Sequence, residues 1–315
     1  MNLHRLDLVS LSLFTLIART GSISKGSALA RLAVGAASKR ISDLEAAVGA
    51  ELFERHSRGV TLTVAGAALQ RHAQRILSDV DHLEADLSDH AHGLVGVVRL
   101  WVNTSAVTQF LPTQFSTFVA ANPGIRIELE ERNSAEVVVA VLDGRADIGI
   151  FADRVPALGL QIVGYRDDRL VLVAPKSHPL AARKRIDFID ATEFDFVSLS
   201  SGTSLAQRLQ AEAEAMGKRL RVRIQVRSFD AIGHMVAAGL GIAVLPLAAV
   251  QPHLRSMGLS KVDIQDSFAH RSLLLGARDF AALPRSARRL ADHLRTDNSH
   301  PAETGQMRDG RFRGP

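Results

Sequence analysis

The feature that most limits the folds open to this chain is a change of hydrophobic period near residue 95. Before it, apolar residues recur at spacings of three and four; after it, short strand-like runs alternate with helical stretches. One core rarely grows beyond roughly 250 to 300 residues, so 315 residues with two patterns predict at least two domains.

In the first part, Leu6, Val9, Leu13, Leu16 and Ile17 mark a helix that Gly21 ends, and Ser22 or Ser24 can cap a second helix running to about Leu32. A third helix carries Ala37, Ile41, Leu44 and Val48 on one face and stops at Gly49. In ELFERHSRGVTLT, Gly59 can turn a hairpin between Phe53 and Leu62. Three short helices and a hairpin describe a winged helix-turn-helix over residues 1–64.

Thr63 can cap the next helix, a linker over residues 65–92. Its apolar positions Leu69, Ala73, Ile76, Val80, Leu83 and Leu87 form a heptad seam. Such a seam wants a partner helix, most simply that of a second subunit; packing on the chain's own core is the alternative. Charge is segregated over this region. Arg19, Lys25, Arg31, Lys39, Arg40, Arg55 and Arg58 come early, and Asp79, Asp81, Glu84, Asp86 and Asp89 follow on the linker.

Beyond residue 95, strands are expected at 97–102, 125–131, 146–151, 169–174, 194–199, 221–226, 241–246 and 272–277. Helices are expected at 107–121, 134–144, 204–216 and 229–238. This alternation describes parallel α/β units, enough for two lobes. The polar stretch 297–315, with Arg308, Arg311 and Arg313, reads as a disordered tail.

Several classes are excluded or disfavoured. The chain has no cysteine, which removes disulfides, thiolate zinc sites and iron–sulfur clusters. The twelve histidines are scattered, so neither a metal nor any other cofactor is expected. No apolar run approaches the roughly 20 residues of a membrane span, and the N-terminus lacks a leader pattern; a cytoplasmic location with no membrane partner is the default expectation. GLGIAVLP is not a dinucleotide fingerprint, G-x-S-x-G is absent, and no paired acid and base stands out, so an enzyme ranks low.

The segment from Gly21 to Gly66 resembles the DNA-binding domain of LysR-type transcriptional regulators. The resemblance rests on Phe14, Gly21–Ser22, Ser38–Lys39, Leu44–Glu45, Val48–Gly49, Leu52–Phe53 with Arg55, and Thr63 with Ala65–Gly66. FLPTQFSTFVAANPGIRIEL, DGRADIGI, APKSHPLA and VAAGLGIAVLP are similar to stretches of the family's effector domain. The resemblance implies a two-lobed α/β domain over 93–296, similar to type 2 periplasmic binding proteins. Lobe I would be about 93–166 with 269–296, and lobe II about 167–268. It further implies a regulator of transcription that binds double-stranded DNA as a homodimer or homotetramer, responds to a small molecule held between the lobes and, as an activator, contacts RNA polymerase. Val34, Lys39 and Gly26–Ser27 depart from the pattern, where relatives often place a polar residue, an arginine and Ala-Ala.

The residues expected to carry these functions follow from chemistry. A helix whose small outward residues allow close approach suits a major groove. Val34, Gly35, Ala36, Ser38, Lys39 and Ser42 are its reading face; Arg58 in the wing suits a minor groove, and Arg55 phosphate or the domain itself. In two-lobed parallel domains, ligands sit beyond strand C-termini beside helix N-termini. That places Thr104 and Ser105 after the first strand of lobe I and Ser200, Gly202 and Thr203 in the other lobe. Phe151 and Phe229 would be apolar walls or core. Such hydroxyls suit a small carboxylate, with helix capping alone as the plainer reading.

Overall fold

The computed structural model describes residues 6–92 and 96–296, with side chains in the linker helix described to Asp81 and at Leu83. Helix α1 (Leu8–Thr20) is capped by Asp7, which accepts from Ser10 N, and ends at Gly21 in the left-handed conformation at φ 63°. Helix α2 (Ile23–Leu29) is capped by Ser22, and α3 (Val34–Val48) ends at Gly49 with φ 80°. Strands β1 (Phe53–His56) and β2 (Gly59–Leu62) pair antiparallel, with Phe53 opposite Leu62. Thr63 then accepts from Gly66 N at the start of α4 (Val64–His92), which is 29 residues long.

These elements share one core of Leu11, Leu13, Phe14, Ile17, Ala37, Ile41, Leu44, Leu52, Phe53 and Val60. The Phe14 and Phe53 rings lie 5.0 Å apart and fasten the wing to α1. Gly26 explains one departure noted above. A Cβ there would fall 2.5 Å from Ile17 Cγ1 and 2.8 Å from Ile17 Cα, so only glycine lets α2 cross α1 this closely.

Lobe I begins with β3 (Gly96–Val102), α5 (Thr104–Gln109), α6 (Leu111–Ala121), β4 (Ile125–Glu131), α7 (Ser134–Leu142) and β5 (Ile148–Ala152). Strand β6 (Gln161–Pro175) then carries the chain across. Lobe II follows as β7 (Arg185–Ile186), α8 (Phe188–Ala191), β8 (Asp195–Leu199), α9 (Ser204–Ala215), β9 (Arg221–Val226), α10 (Phe229–Ala237), β10 (Ala243–Pro246), α11 (Leu247–Val250) and β11 (Leu259–Ile264). Strand β12 (His270–Ala277) returns to lobe I, where α12 (Arg285–Thr296) packs Ala287, Leu290, Ala291 and Leu294 into the core.

The sheet runs β4-β3-β5-β12-β6-β11-β7, with β10 also paired to β6 and β8 with β9 apart. Residues Gln161–Arg169 of β6 pair with β12, while Leu170–Pro175 pair with β10 and β11, so one strand serves both lobes. The expectation of parallel units holds for β3, β4 and β5 and for β8 with β9. It fails for β6, β10 and β12, whose pairings with one another and with β5 are antiparallel. Strands that cross between lobes travel in opposite directions, which forces that change.

Gly26→Ala is expected to lower the melting temperature of the DNA-binding part, at a cost of about 1–3 kcal/mol for overpacking. Calorimetry of the full chain checks this; an unchanged first transition would contradict the close crossing.

Candidate DNA-binding face and interlobe cleft

Helix α3 divides its residues as the 3.6-residue period requires. Ala37, Ile41, Leu44 and Ala47 are buried, whereas Val34, Gly35, Ala36, Lys39 and Ser42 are exposed and Ser38 is half-buried. No Cβ added at Gly35 would meet an atom within 4 Å, so the face is open there. Arg55 and Arg58 are exposed on the hairpin, Arg58 in its two-residue turn. Gly59, at φ 141°, brings the hairpin against α1's end: its Cβ would lie 2.2 Å from Gly21 O, to which Val60 N donates. Arg40 does not join the reading face. It turns back to pair with Asp7 at 2.9 Å and to donate to Ser10 Oγ, tying α3 to the start of α1.

Burial raises the pKa of Asp7, but hydrogen bonds from Ser10 N and Oγ, together with the Arg40 charge, outweigh it, so the carboxyl stays below its ordinary value of 3.8. A depressed folded pKa adds stability that is complete above the unfolded value and is lost as pH falls through the folded one. Relative to Asp7→Asn, the wild type should therefore melt higher at about pH 5 and above, with the gap closing below 3.8. A gap that persisted at lower pH, measured by thermal denaturation, would contradict this.

The heptad seam is shared between two uses. Ala73 is fully buried and Leu69 half-buried against the DNA-binding core, so these two pack on their own domain. Ile76, Val80 and Leu83 are 39%, 36% and 58% exposed; the side chain of Leu87 lies outside the described residues. A neighbouring flank of α4 docks on lobe I. Arg99 Nη2 donates to Ser78 Oγ, Arg75 Nε to Leu142 O, and Arg278 pairs with Asp79. In the groove between them, Trp101 lies under two guanidinium groups, Arg145 at 4.9 Å and Arg132 at 5.4 Å from the ring centre.

Between the lobes is a narrow cleft. Its walls are Asn103, Thr104 and Ser105 after β3, Arg132, Asn133 and Ser134 after β4, Leu199, Thr203, Ser204 and Leu205 between β8 and α9, and Phe229 at the head of α10. The C-terminal ends of parallel strands thus deliver four helix N-termini to one place, where free N–H groups favour negative charge. Ser134 Oγ and Ser204 Oγ, 3.3 Å apart, join the lobes. Arg132 is the one charged side chain among the lining residues.

Thr104, Thr203 and Phe229 line this cleft. The Thr104 hydroxyl donates to Glu131 Oε1, and Thr203 accepts from Ala206 N as the cap of α9. Ser105 borders the cleft but its hydroxyl points inward, accepting from Arg271 Nη2 at 2.7 Å. Ser200 and Gly202 fall outside the lining: the Ser200 hydroxyl turns along its own sheet towards Val226 O, and Gly202 is exposed beside Asn133. Phe151 is a correction. It is fully buried among Val137, Val138, Val141 and Leu160, because the β5 residues on that side face the α7 layer and not the cleft. Asn133 and Ser134 were missed and Arg132 is undecided from sequence alone, although a polar pair opening a helix directly after a strand repeats the pattern that singled out Thr104 and Ser105.

A winged helix-turn-helix on a long helix, followed by a two-lobed domain with a polar interlobe cleft, defines a ligand-responsive DNA-binding protein. A family model described as "LysR substrate binding domain" matches residues 91–299, and "Bacterial regulatory helix-turn-helix protein, lysR family" matches residues 8–67. The chain belongs to the LysR family of transcriptional regulators, DNA-binding proteins with an effector-binding domain. It is 27% identical to a probable RuBisCO transcriptional regulator of Porphyra purpurea, over 76% of this chain and 77% of that one. It is also 27% identical to the uncharacterized HTH-type transcriptional regulator YbhD of Escherichia coli, over 90% and 89%. Among solved structures, a full-length OxyR variant of Pseudomonas aeruginosa superposes with a TM-score of 0.72 at 21% identity, covering 92% of this chain and 94% of that one. CbnR complexed with its target DNA gives 0.66 at 19%, covering 92% and 99%. The CcmR regulatory domain of Synechocystis PCC6803 in complex with 2-PG gives 0.60 at 23%, covering 65% and 98%. Among the described residues, no helix is long and apolar enough to cross a membrane.

Proposed function

We propose that this regulator reads its operator with Val34, Gly35, Ala36, Ser38, Lys39 and Ser42 in a major groove and Arg58 in the adjacent minor groove, with Arg55 on phosphate. The observation that carries this is the exposed side of α3, formed by small residues and Lys39 opposite a buried face of the same helix, with Arg55 and Arg58 exposed on the hairpin. Lys39 supplies affinity with looser base choice than an arginine fork. Ile76, Val80, Leu83 and Leu87 pair the linker helix with that of a second subunit, giving a homodimer or a tetramer of two such pairs. A role as activator would add contact with RNA polymerase. The reading is of a regulator without enzymatic activity, acting in the cytoplasm over the domain boundaries expected above.

The same reading assigns the effector to the cleft. Arg132 and the N-termini of α7, α9 and α10 favour a small anion, a carboxylate being the simplest. The CcmR regulatory domain, similar in fold, is in complex with 2-PG, which supports a small-molecule effector for a domain of this kind.

Two measurements test these assignments. Lys39→Ala and Arg58→Ala should each weaken operator binding and reduce the slope of log K against log salt by about one; an unchanged slope for both removes this face. Arg132→Gln should leave salt-dependent operator binding intact while weakening the response to the effector by about tenfold. An undiminished response would remove the guanidinium from the cleft.

A further inference from the structure

On the other side of the Ser134–Ser204 contact lies a second crevice, which shares Ser204 with the cleft and is otherwise lined by different residues. It opens between Ala152–Val155 of lobe I and Ser204, Gln207, Arg208 and Ala211 on α9, with Arg271 at its base. Three guanidinium groups surround it. Arg271 pairs with Asp168, Arg154 with Glu212, and Arg208 donates to Asp153 Oδ1 at 2.8 Å and to His270 O at 3.2 Å.

Arg208 is the anomaly. Its side chain is 6% exposed, yet its Nε has no partner; among the described residues, only this atom and Gln109 Oε1 are buried side-chain nitrogens or oxygens without one. Burial, only partly offset by Asp153, lowers its pKa, and the neighbouring charges of Arg154 and Arg271 lower it further. Each of the three cations has a carboxylate partner, but the Nε of Arg208 leaves a buried donor without an acceptor, which is costly. Gln207 and Ser204 add polar groups, and Ala152, Val155 and Ala211 add apolar surface.

We propose that this crevice is a second ligand site, for an organic anion with one carboxylate or phosphate group held by Arg208 and Arg154 and a short apolar body against Ala152, Val155 and Ala211. Such a ligand bridges α9 to the loop after β5, so it favours closed lobes independently of an effector in the cleft.

The test uses the full chain and three probes, acetate, butyrate and inorganic phosphate, at constant ionic strength, read by calorimetric titration and thermal shift. Ala211 is exposed, so Ala211→Trp fills the crevice without entering the core. Butyrate or phosphate is expected to bind the wild type, with butyrate tighter than acetate if the group is a carboxylate. Ala211→Trp and Arg154→Ala should each raise the dissociation constant by about tenfold or more, while Arg132→Gln leaves it unchanged. Loss of binding in Arg132→Gln with no effect of Ala211→Trp would put the anion in the cleft, overturning the second site and leaving the function proposed above intact. Absence of binding by all three probes, or binding indifferent to every variant, would overturn the proposal as well.

Discussion

The two-lobed half of this protein depends on two antiparallel strands that cross between the lobes, and on a buried ion pair where they run side by side. Asp168 on β6 and Arg271 on β12 face each other in register, with side chains 2% and 1% exposed. Removing two charges from water is costly unless their remaining hydrogen-bonding capacity is met. Gln109 donates to Asp168 and Ser105 accepts from Arg271, so α5 is recruited to the same network. The crossing strands, the helix that opens the cleft and the floor of the rear crevice are therefore one polar unit, and a change in lobe angle must rearrange it.

The DNA-binding half is built on close approach. Gly26 lets α2 lie on α1, and Gly59 lets the hairpin reach the backbone of Gly21. Neither contact tolerates a side chain, so α2 and the wing are each held in place against α1. Arg40 adds a polar tie from α3 to Asp7. The reading face thus gains its openness from packing on the other side of the same helices.

Much of this was legible in the sequence where one physical signal dominated. Ala37, Ile41 and Leu44 at helical spacing identified the buried side of α3, and Gly21, Gly49 and Gly59 marked turns that only positive φ satisfies. The signal was weaker where tertiary context decides. The first half of β6, QIVGYRDDR, mixes charge with apolar residues because it lies along a junction, so only its apolar second half looked like a strand. Strand β11, LSKVDI, hides its alternation behind Lys261 and Asp263. Phe151 sits one residue from Ala152, which borders the rear crevice, but on the far side of the sheet, a distinction that pleating makes and composition cannot. Ala73 kept the heptad spacing of a dimer seam while serving the domain next to it.

Trp101 is the one tryptophan of the chain. Its indole lies in the groove between the linker helix and lobe I, beneath Arg145 and Arg132, and Arg132 also borders the cleft. A shift of that guanidinium, or of α4 against lobe I, alters the polarity around the ring. The protein therefore carries an intrinsic fluorophore at the junction between its ligand-binding and DNA-binding halves, whose emission can be followed without any label.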